Sequence, residues 1–287
     1  MRLFNPEWEA IKEFEHNAKV RDAQFDLSGK ELPADHGQAL YEALLAYLPW
    51  LADTPQAGIH SIHGAATERG TLVINRRAKL LLRGLRYSSL LPYASIDGWL
   101  TVDEAIALYE LGRALPDDHP RAVEIGSWQG KSTVCIAAGM RDKQQPVLTC
   151  IDPFDASGDA ASADVYGDRA DRLGGPLRRA FEQNLIDAAV REVVEVRQGF
   201  SHDQAQHVDG SLDLVFLDGD HGYDAVRQDF LDWGPKVRAG GYLAMHDVVH
   251  PVHEGPRRVV EELIANDPRW VEQRYVDSMF VARKASS

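Results

Sequence analysis

Two cysteines in 287 residues leave no material for a disulfide framework. Cys135 falls in an expected helix and Cys150 in an expected strand, where both read as small core residues rather than nucleophiles. No apolar run approaches the length of a membrane span, and no apolar signal core stands near the first residue, so the expected compartment is the cytoplasm. Positive charge is also short: 31 Lys and Arg face 44 Asp and Glu, a formal charge of -13. A surface this acidic repels polyanions, which disfavours nucleic acid as a partner unless a local basic patch exists. No internal repeat is visible. What the chain does have is 44% hydrophobic residues and the length for one large domain or two small ones, enough to bury a core.

The stretch VEIGSWQGKST, residues 123–133, carries the most information. An apolar run ends in Glu124, and Gly126 and Gly130 then open an expected helix. A cofactor loop needs that order: a strand delivers the chain to the sheet edge, one glycine permits a tight turn, and a second lets the backbone approach a ligand. A phosphate-gripping loop reads G-x-x-x-x-G-K-[ST], which this stretch misses by one residue. The dinucleotide fingerprint needs a glycine where Trp128 stands. The remaining pattern, E-x-G-x-x-x-G, is either an ordinary strand-to-helix turn or a cofactor loop; it resembles the first motif of class I S-adenosylmethionine-dependent methyltransferases. The resemblance implies S-adenosyl-L-methionine as cofactor, the Glu124 carboxylate near its cationic methionine end, and Gly126, Ser127, Gly130 and Ser132 in the loop around it.

Strands are expected at 122–125, 147–151, 193–197, 212–217 and 241–245, with a final pair at 270–275 and 279–282. Helices alternate with them, and TVDE at 101–104 is a capping box that starts a helix running to about Ala114. This implies a Rossmann-like, doubly wound α/β sheet, seven-stranded with an antiparallel last strand as in the family it resembles. Asp152 ends the second strand, where an acid either accepts ribose hydroxyls or caps the segment after Pro153. Gly199, Phe200 and Ser201 fall where the family holds the adenine ring, although Ser201 also suits a helix N-cap. Residues 155–175 are rich in Ala, Asp and Gly and show no periodicity, which reads as a loop, either merely mobile or a lid whose Tyr166 touches substrate.

Residues 211–247 bring the acids together. The run 214–217 ends in Asp218, Asp220 and His221, and the run 242–245, entered through a turn at Ala239-Gly240-Gly241, ends in His246 and Asp247. Such strand ends form the ligand-binding edge of open α/β sheets. VEIGSWQGKST, LDGDHGYDAV and GGYLAMHD together resemble the sugar O-methyltransferase-like subfamily over about residues 93–283. An alcohol is a poor nucleophile at neutral pH, so methyl transfer to a hydroxyl needs a base or a Lewis acid. The resemblance implies His221 as base and Asp218 and Asp247 as ligands of a divalent metal, magnesium by the family pattern. Where that pattern has two acids, this chain has His246-Asp247, so His246 enters the ligand set and manganese becomes an alternative. Asp218 also borders the cofactor, and Asp220 either joins the metal or fixes His221.

Before residue 89 the chain changes character. The expected organisation is an N-terminal helix in 1–22, with an amphipathic stretch at 6–20; a ferredoxin-like α+β unit at 23–88; and the methyltransferase domain at 89–287. Within the unit, 23–27 alternates like a strand, 35–47 is helical, 58–62 is extended, and 71–75 with 79–82 forms a hairpin around Arg76 and Arg77. FDLSGKELPADHGQALYEALLAYLPWLADTPQAGIHSIHGA and LVINRRAKLLLRG resemble the N-terminal half of a type I CRISPR-associated RNA-processing endonuclease, without its second half or glycine-rich RNA-binding loop. Arg76, Arg77, Lys79, Arg83 and Arg86 are either a remnant RNA patch or a solvated hairpin, and His60 and His63 read as turn or core histidines. The expected function is O-methylation of a small polar, sugar-like acceptor by a cytoplasmic, possible homo-oligomeric enzyme. The alternatives are an RNA- or protein-binding module, or methylation of RNA or protein.

Overall fold

In a computed structural model the chain divides into two units, residues 1–91 and 92–287. The structure describes residues 21–26, 31–33, 58–59, 65–66, 71–73, 79–84, 88–157 and 163–286. The helices expected at 6–20 and 35–47, together with His60, His63, Arg76, Arg77 and Arg86, lie outside the described residues.

The first unit holds two small sheets. β1 (Arg21–Asp26) pairs antiparallel with β6 (Lys79–Gly84), and β3 (Gly58–Ile59) lies on the other side of β6. In the second sheet, β5 (Thr71–Val73) sits between β2 (Glu31–Pro33) and β4 (Ala65–Ala66). Among the described residues β5 and β6 belong to different sheets, so the hairpin expected of them is not found there. β6 instead matches β1 over its whole length, from Arg21 opposite Gly84 to Asp26 opposite Lys79, a longer ladder than the three residues of β5 offer.

The second unit begins with the expected capping box. The Glu104 amide donates to Thr101 Oγ1, and the Thr101 amide donates back to the Glu104 carboxylate, starting α1 (Val102–Ala114). The order is then β7 (Arg121–Ile125), α2 (Lys131–Met140), β8 (Val147–Asp152), α3 (Ala163–Arg172), α4 (Leu177–Asp187), β9 (Val194–Gln198), α5 (Ser201–Ala205), β10 (Leu212–Leu217), α6 (Tyr223–Trp233), β11 (Val237–Met245), α7 (Gly255–Val259), β12 (Trp270–Val276) and β13 (Met279–Lys284). They build one seven-stranded sheet in the order β12-β13-β11-β10-β7-β8-β9. β13 runs antiparallel to both of its neighbours and the other neighbouring strands pair in parallel. β10, at the centre, is buried along all six residues, as a continuous apolar run in a sheet covered on both faces should be.

Two local expectations are corrected. Ala239-Gly240-Gly241 lies inside β11 and makes no turn; Gly240, at φ +77°, absorbs the register shift between the Leu212/Val237 and Leu214/Tyr242 pairs. The segment expected as a loop at 155–175 contains α3, with Asp164 in its first turn and Arg169 and Arg172 in its last, the charge order that suits a helix dipole.

Candidate active site

At the carboxyl ends of β7, β8, β10 and β11 a cavity of about 840 Å³ opens. It is lined by Gly126, Ser127, Ser132, Asp152, Ser201, Asp218, His221, His246 and Asp247, so the expected site residues converge, apart from Glu124 and Gly130. The edges meet closely because Gly126, at φ +82°, has no side chain: a Cβ there would lie 2.0 Å from the Asp218 carbonyl oxygen. Gly130, at φ +89°, is also tightly packed, since a Cβ there would meet the Phe181 ring at 3.1 Å.

Glu124 does not face the cavity. It is fully buried, and its carboxylate accepts from Ser127 Oγ at 3.0 Å, Ser132 Oγ at 2.6 Å, Thr133 Oγ1 and Cys150 Sγ at 3.2 Å. Burial raises its pKa while the hydroxyl donors oppose the rise. Through these bonds Glu124 ties the glycine loop to its strand. Burial pushes both thiols, Cys135 and Cys150, upward, in keeping with core residues.

Asp152 caps the segment after Pro153, as one of its two expected roles requires. Its oxygens accept the Trp128 amide at 2.9 Å and the Phe154 amide at 2.6 Å, so it braces two backbone segments while lining the cavity. Phe200, not Ser201, is the N-cap of α5 and makes no side-chain cap. The Ser201 hydroxyl accepts from Trp233 Nε1 at 2.7 Å and bonds Asp229, whose carboxyl burial pushes up to about 6.

The acid-histidine cluster fills the other half of the cavity. His246, nearly buried, places Nδ1 3.1 Å from Asp218 Oδ1 and 3.5 Å from Asp247 Oδ2, and Nε2 3.2 Å from Glu104 Oε2. Burial disfavours charge on the ring, but Asp218, Asp247 and Glu104 outweigh it and raise its pKa well above the ordinary value. Asp218 is raised by burial, against the attraction of His246. Burial acts the same way on Asp247, yet His221 and His246 overcome it and hold that carboxyl low. His221 Nε2 lies 3.1 Å from Asp247 Oδ2. Asp220 Oδ1 accepts the Gly222 amide at 2.6 Å, an Asx turn leading into α6.

Sequence reasoning missed four participants. Glu104 was legible as a cap, yet its other oxygen accepts from Ser278 Oγ at 2.7 Å and the Ser278 amide at 2.9 Å, and the same carboxylate holds His246. Trp99 and Arg169 are the others: Tyr166 packs on Trp99 and on Trp128 with ring centroids 5.1 Å apart in each case, and the Arg169 guanidinium lies 4.2 Å over Trp99 and 2.5 Å from Asp97. α3 is thereby clamped onto residues 97–99 at the cavity wall. Only the spacing of aromatics could have hinted at this, because partners some 70 residues apart leave no local pattern.

Residues 123–248 match the family model for a methyltransferase domain. This part of the chain is a methyltransferase. Residues 22–106 match the model of the Cas6 CRISPR family, in agreement with a ferredoxin-like first unit. Among solved structures, the O-methyltransferase NovP is 17% identical, with a TM-score of 0.51 over 64% of this chain and 81% of that one. A protein from Corynebacterium glutamicum is 16% identical, with a TM-score of 0.52 over 70% and 91%. Both likenesses show the fold of the methyltransferase domain. Among the described residues no helix is long and apolar enough to cross a membrane.

Proposed function

We propose that the methyltransferase domain moves the sulfonium methyl of S-adenosyl-L-methionine to a hydroxyl of a small polar acceptor, a sugar-containing compound by the resemblance of its motifs, with a divalent ion assisting. The observation that carries this reading is the meeting, in one cavity, of the glycine loop and Asp152 with Asp218, His221, His246 and Asp247. The cavity's volume lies within the roughly 300–1,000 Å³ of small-molecule sites. The fold shared with the O-methyltransferase NovP supports oxygen as the acceptor atom.

Asp152 and the loop at 126–132 would hold the nucleoside and methionine ends. His221, oriented by the ionised Asp247, would take the acceptor proton as the oxygen attacks. Asp218, His246 and Asp247 fit a divalent ion, because one donor atom from each lies within 4.8 Å of the others. Glu104, engaged on the Nε2 side of His246, leaves Nδ1 toward the two aspartates, the carboxylate–histidine arrangement that metal ligands use. Bound there, Mg²⁺ or Mn²⁺ would polarise the acceptor oxygen as a Lewis acid.

Calorimetry with S-adenosylmethionine, with and without Mg²⁺, followed by transfer of labelled methyl to a panel of sugars and phenols, tests the reading. His221→Gln is expected to lower kcat by about 10²- to 10⁴-fold with cofactor affinity kept. Absence of cofactor binding would end the proposal. The Cas6 match favours a second reading, in which RNA is acceptor or partner; RNA binding that weakens steeply with salt would support it.

A further inference from the structure

Beside the Asp218–His246–Asp247 triangle lies a second convergence of donors. His221 follows β10, Asp247 and His253 follow β11, and one ligand atom from each lies within 4.8 Å of the others. The His253 ring stacks on His221 with centroids 4.1 Å apart and planes 19° from parallel. His250 extends the stack at 4.3 Å, but its Nδ1 accepts the backbone amides of Val252 and His253, each at 3.3 Å, so it braces the loop.

The backbone holds the carrier segments together, and one ring of the stack has to turn for both imidazoles to ligate a single ion. A Cβ at Gly255 would meet the His221 carbonyl oxygen at 2.2 Å and the Tyr223 amide nitrogen at 2.8 Å, so the chain two residues after His253 is pressed against the chain that carries His221. Asp247 sits at φ +54°, a left-handed conformation that a non-glycine residue keeps only where its surroundings hold it. All three side chains are partly or nearly buried, and all three line the cavity, which leaves one side open for a further ligand.

The donor chemistry differs from that of the neighbouring triangle. Two imidazoles and one carboxylate form a borderline set, matched to zinc, cobalt, nickel or copper ions, whereas magnesium and calcium take oxygen ligands. The neighbouring triangle offers two carboxylates and a single imidazole that Glu104 and Asp218 already engage.

We propose that His221, Asp247 and His253 form a binding site for a borderline divalent transition-metal ion of the zinc class, which shares Asp247 with the Asp218–His246–Asp247 triangle and whose occupancy would withdraw His221 from the role of base. The proposal does not depend on the methyl-transfer reading, and its test needs neither cofactor nor acceptor.

The untagged full chain is titrated with cobalt(II), whose visible ligand-field bands report imidazole ligation, and zinc and magnesium are then added as competitors. Bands are expected to appear, to be abolished by stoichiometric zinc and to persist in excess magnesium. His253→Gln should weaken cobalt affinity at least about 10- to 100-fold, the loss expected even for a residue that only supports a ligand. His246→Gln, which touches only the shared Asp247, should weaken cobalt affinity less than His253→Gln does. Circular dichroism and melting of each variant establish that it is folded, and His253→Asn, too short to reach, serves as an independent second variant. Affinity unchanged in both His253 variants, or lost in His246→Gln while kept in His253→Gln, would overturn the proposal, as would the absence of bands in the parent chain.

Discussion

Replacing Gly126 by alanine should separate the two edges on which the cavity depends. At this point the Gly126 amide donates to the Ile151 carbonyl at 3.0 Å and the Asp218 amide to the Ile125 carbonyl at 2.9 Å, so the ends of β7, β8 and β10 are joined by backbone bonds. A methyl on Gly126 would lie 2.0 Å from the Asp218 carbonyl oxygen, 2.6 Å from its carbon and 2.8 Å from Gly219 Cα. These are backbone atoms and cannot rotate aside. The left-handed conformation at φ +82° adds about 1–2 kcal/mol for any residue with a Cβ. Forced overpacking adds about 1–3 kcal/mol. The combined loss, about 2–5 kcal/mol, corresponds to a Tm lower by roughly 5–20 °C in a domain of this size. Gly174→Ala is the control, because its φ of +64° carries similar strain but nothing lies within 4 Å of the added methyl; it should lose only about 1–2 kcal/mol. Urea unfolding of both variants decides the matter. A Gly126→Ala protein as stable as Gly174→Ala would refute the claim that close approach, not turn geometry, makes glycine necessary here.

Asp229 titrates near 6 because burial favours its neutral form, so its ionisation opposes folding increasingly as pH rises through 6 and not at all below about 4. Asp229→Asn should therefore stabilise the protein by about 1–3 kcal/mol at pH 8, a gain that vanishes toward pH 4; an equal gain at both pH values, read from urea midpoints, would contradict the assignment. Glu104 behaves oppositely: burial would raise its pKa, but His246, Thr101 and Ser278 lower it to about 2, so its contribution is complete above the ordinary value of 4.5 and disappears as pH falls through 2. Glu104→Gln should cost about 3 kcal/mol at neutral pH, the worth of a carboxyl lowered from 4.5 to about 2, and the difference from the parent should shrink in acid; a constant difference would show that Glu104 acts only as a cap.

Periodicity and strand-end chemistry made the sheet legible. The expected run at 212–217 coincides with β10, and those at 122–125 and 147–151 fall one residue short of β7 and β8, because parallel strands buried on both faces announce themselves as apolar runs between turns. The antiparallel β13 came from resemblance to a family, not from pattern. α3 was missed because Ala, Gly and Asp dominate its neighbourhood, while what holds it, Tyr166 on two tryptophans and Arg169 on Trp99, is tertiary. The hairpin of β5 and β6 is not found among the described residues for a related reason: adjacency in sequence gave way to a longer ladder with β1. Glu124 shows the limit most plainly. Its residue type and place at a strand end were readable, but which way the carboxylate pointed depended on four donors spread over residues 127–150.

The capping box shows how one local signal comes to serve the site. β13 enters between β12 and β11, which sets the β12–β13 turn, with Ser278, beside the end of β11 that carries His246. Glu104, in the first turn of α1, then meets both: one oxygen takes Ser278, the other the Thr101 amide and His246. The same carboxylate thus anchors a helix, a turn and an imidazole, and removing it would loosen all three together. Charge follows from the same geometry. Glu104, Asp218 and Asp247 surround a single ring within hydrogen-bond or ion-pair distance, so the ionised cluster stays negative whichever protonation state the ring adopts. In a buried cluster excess negative charge is costly unless balanced, and the divalent cation proposed between Asp218 and Asp247 would supply that balance.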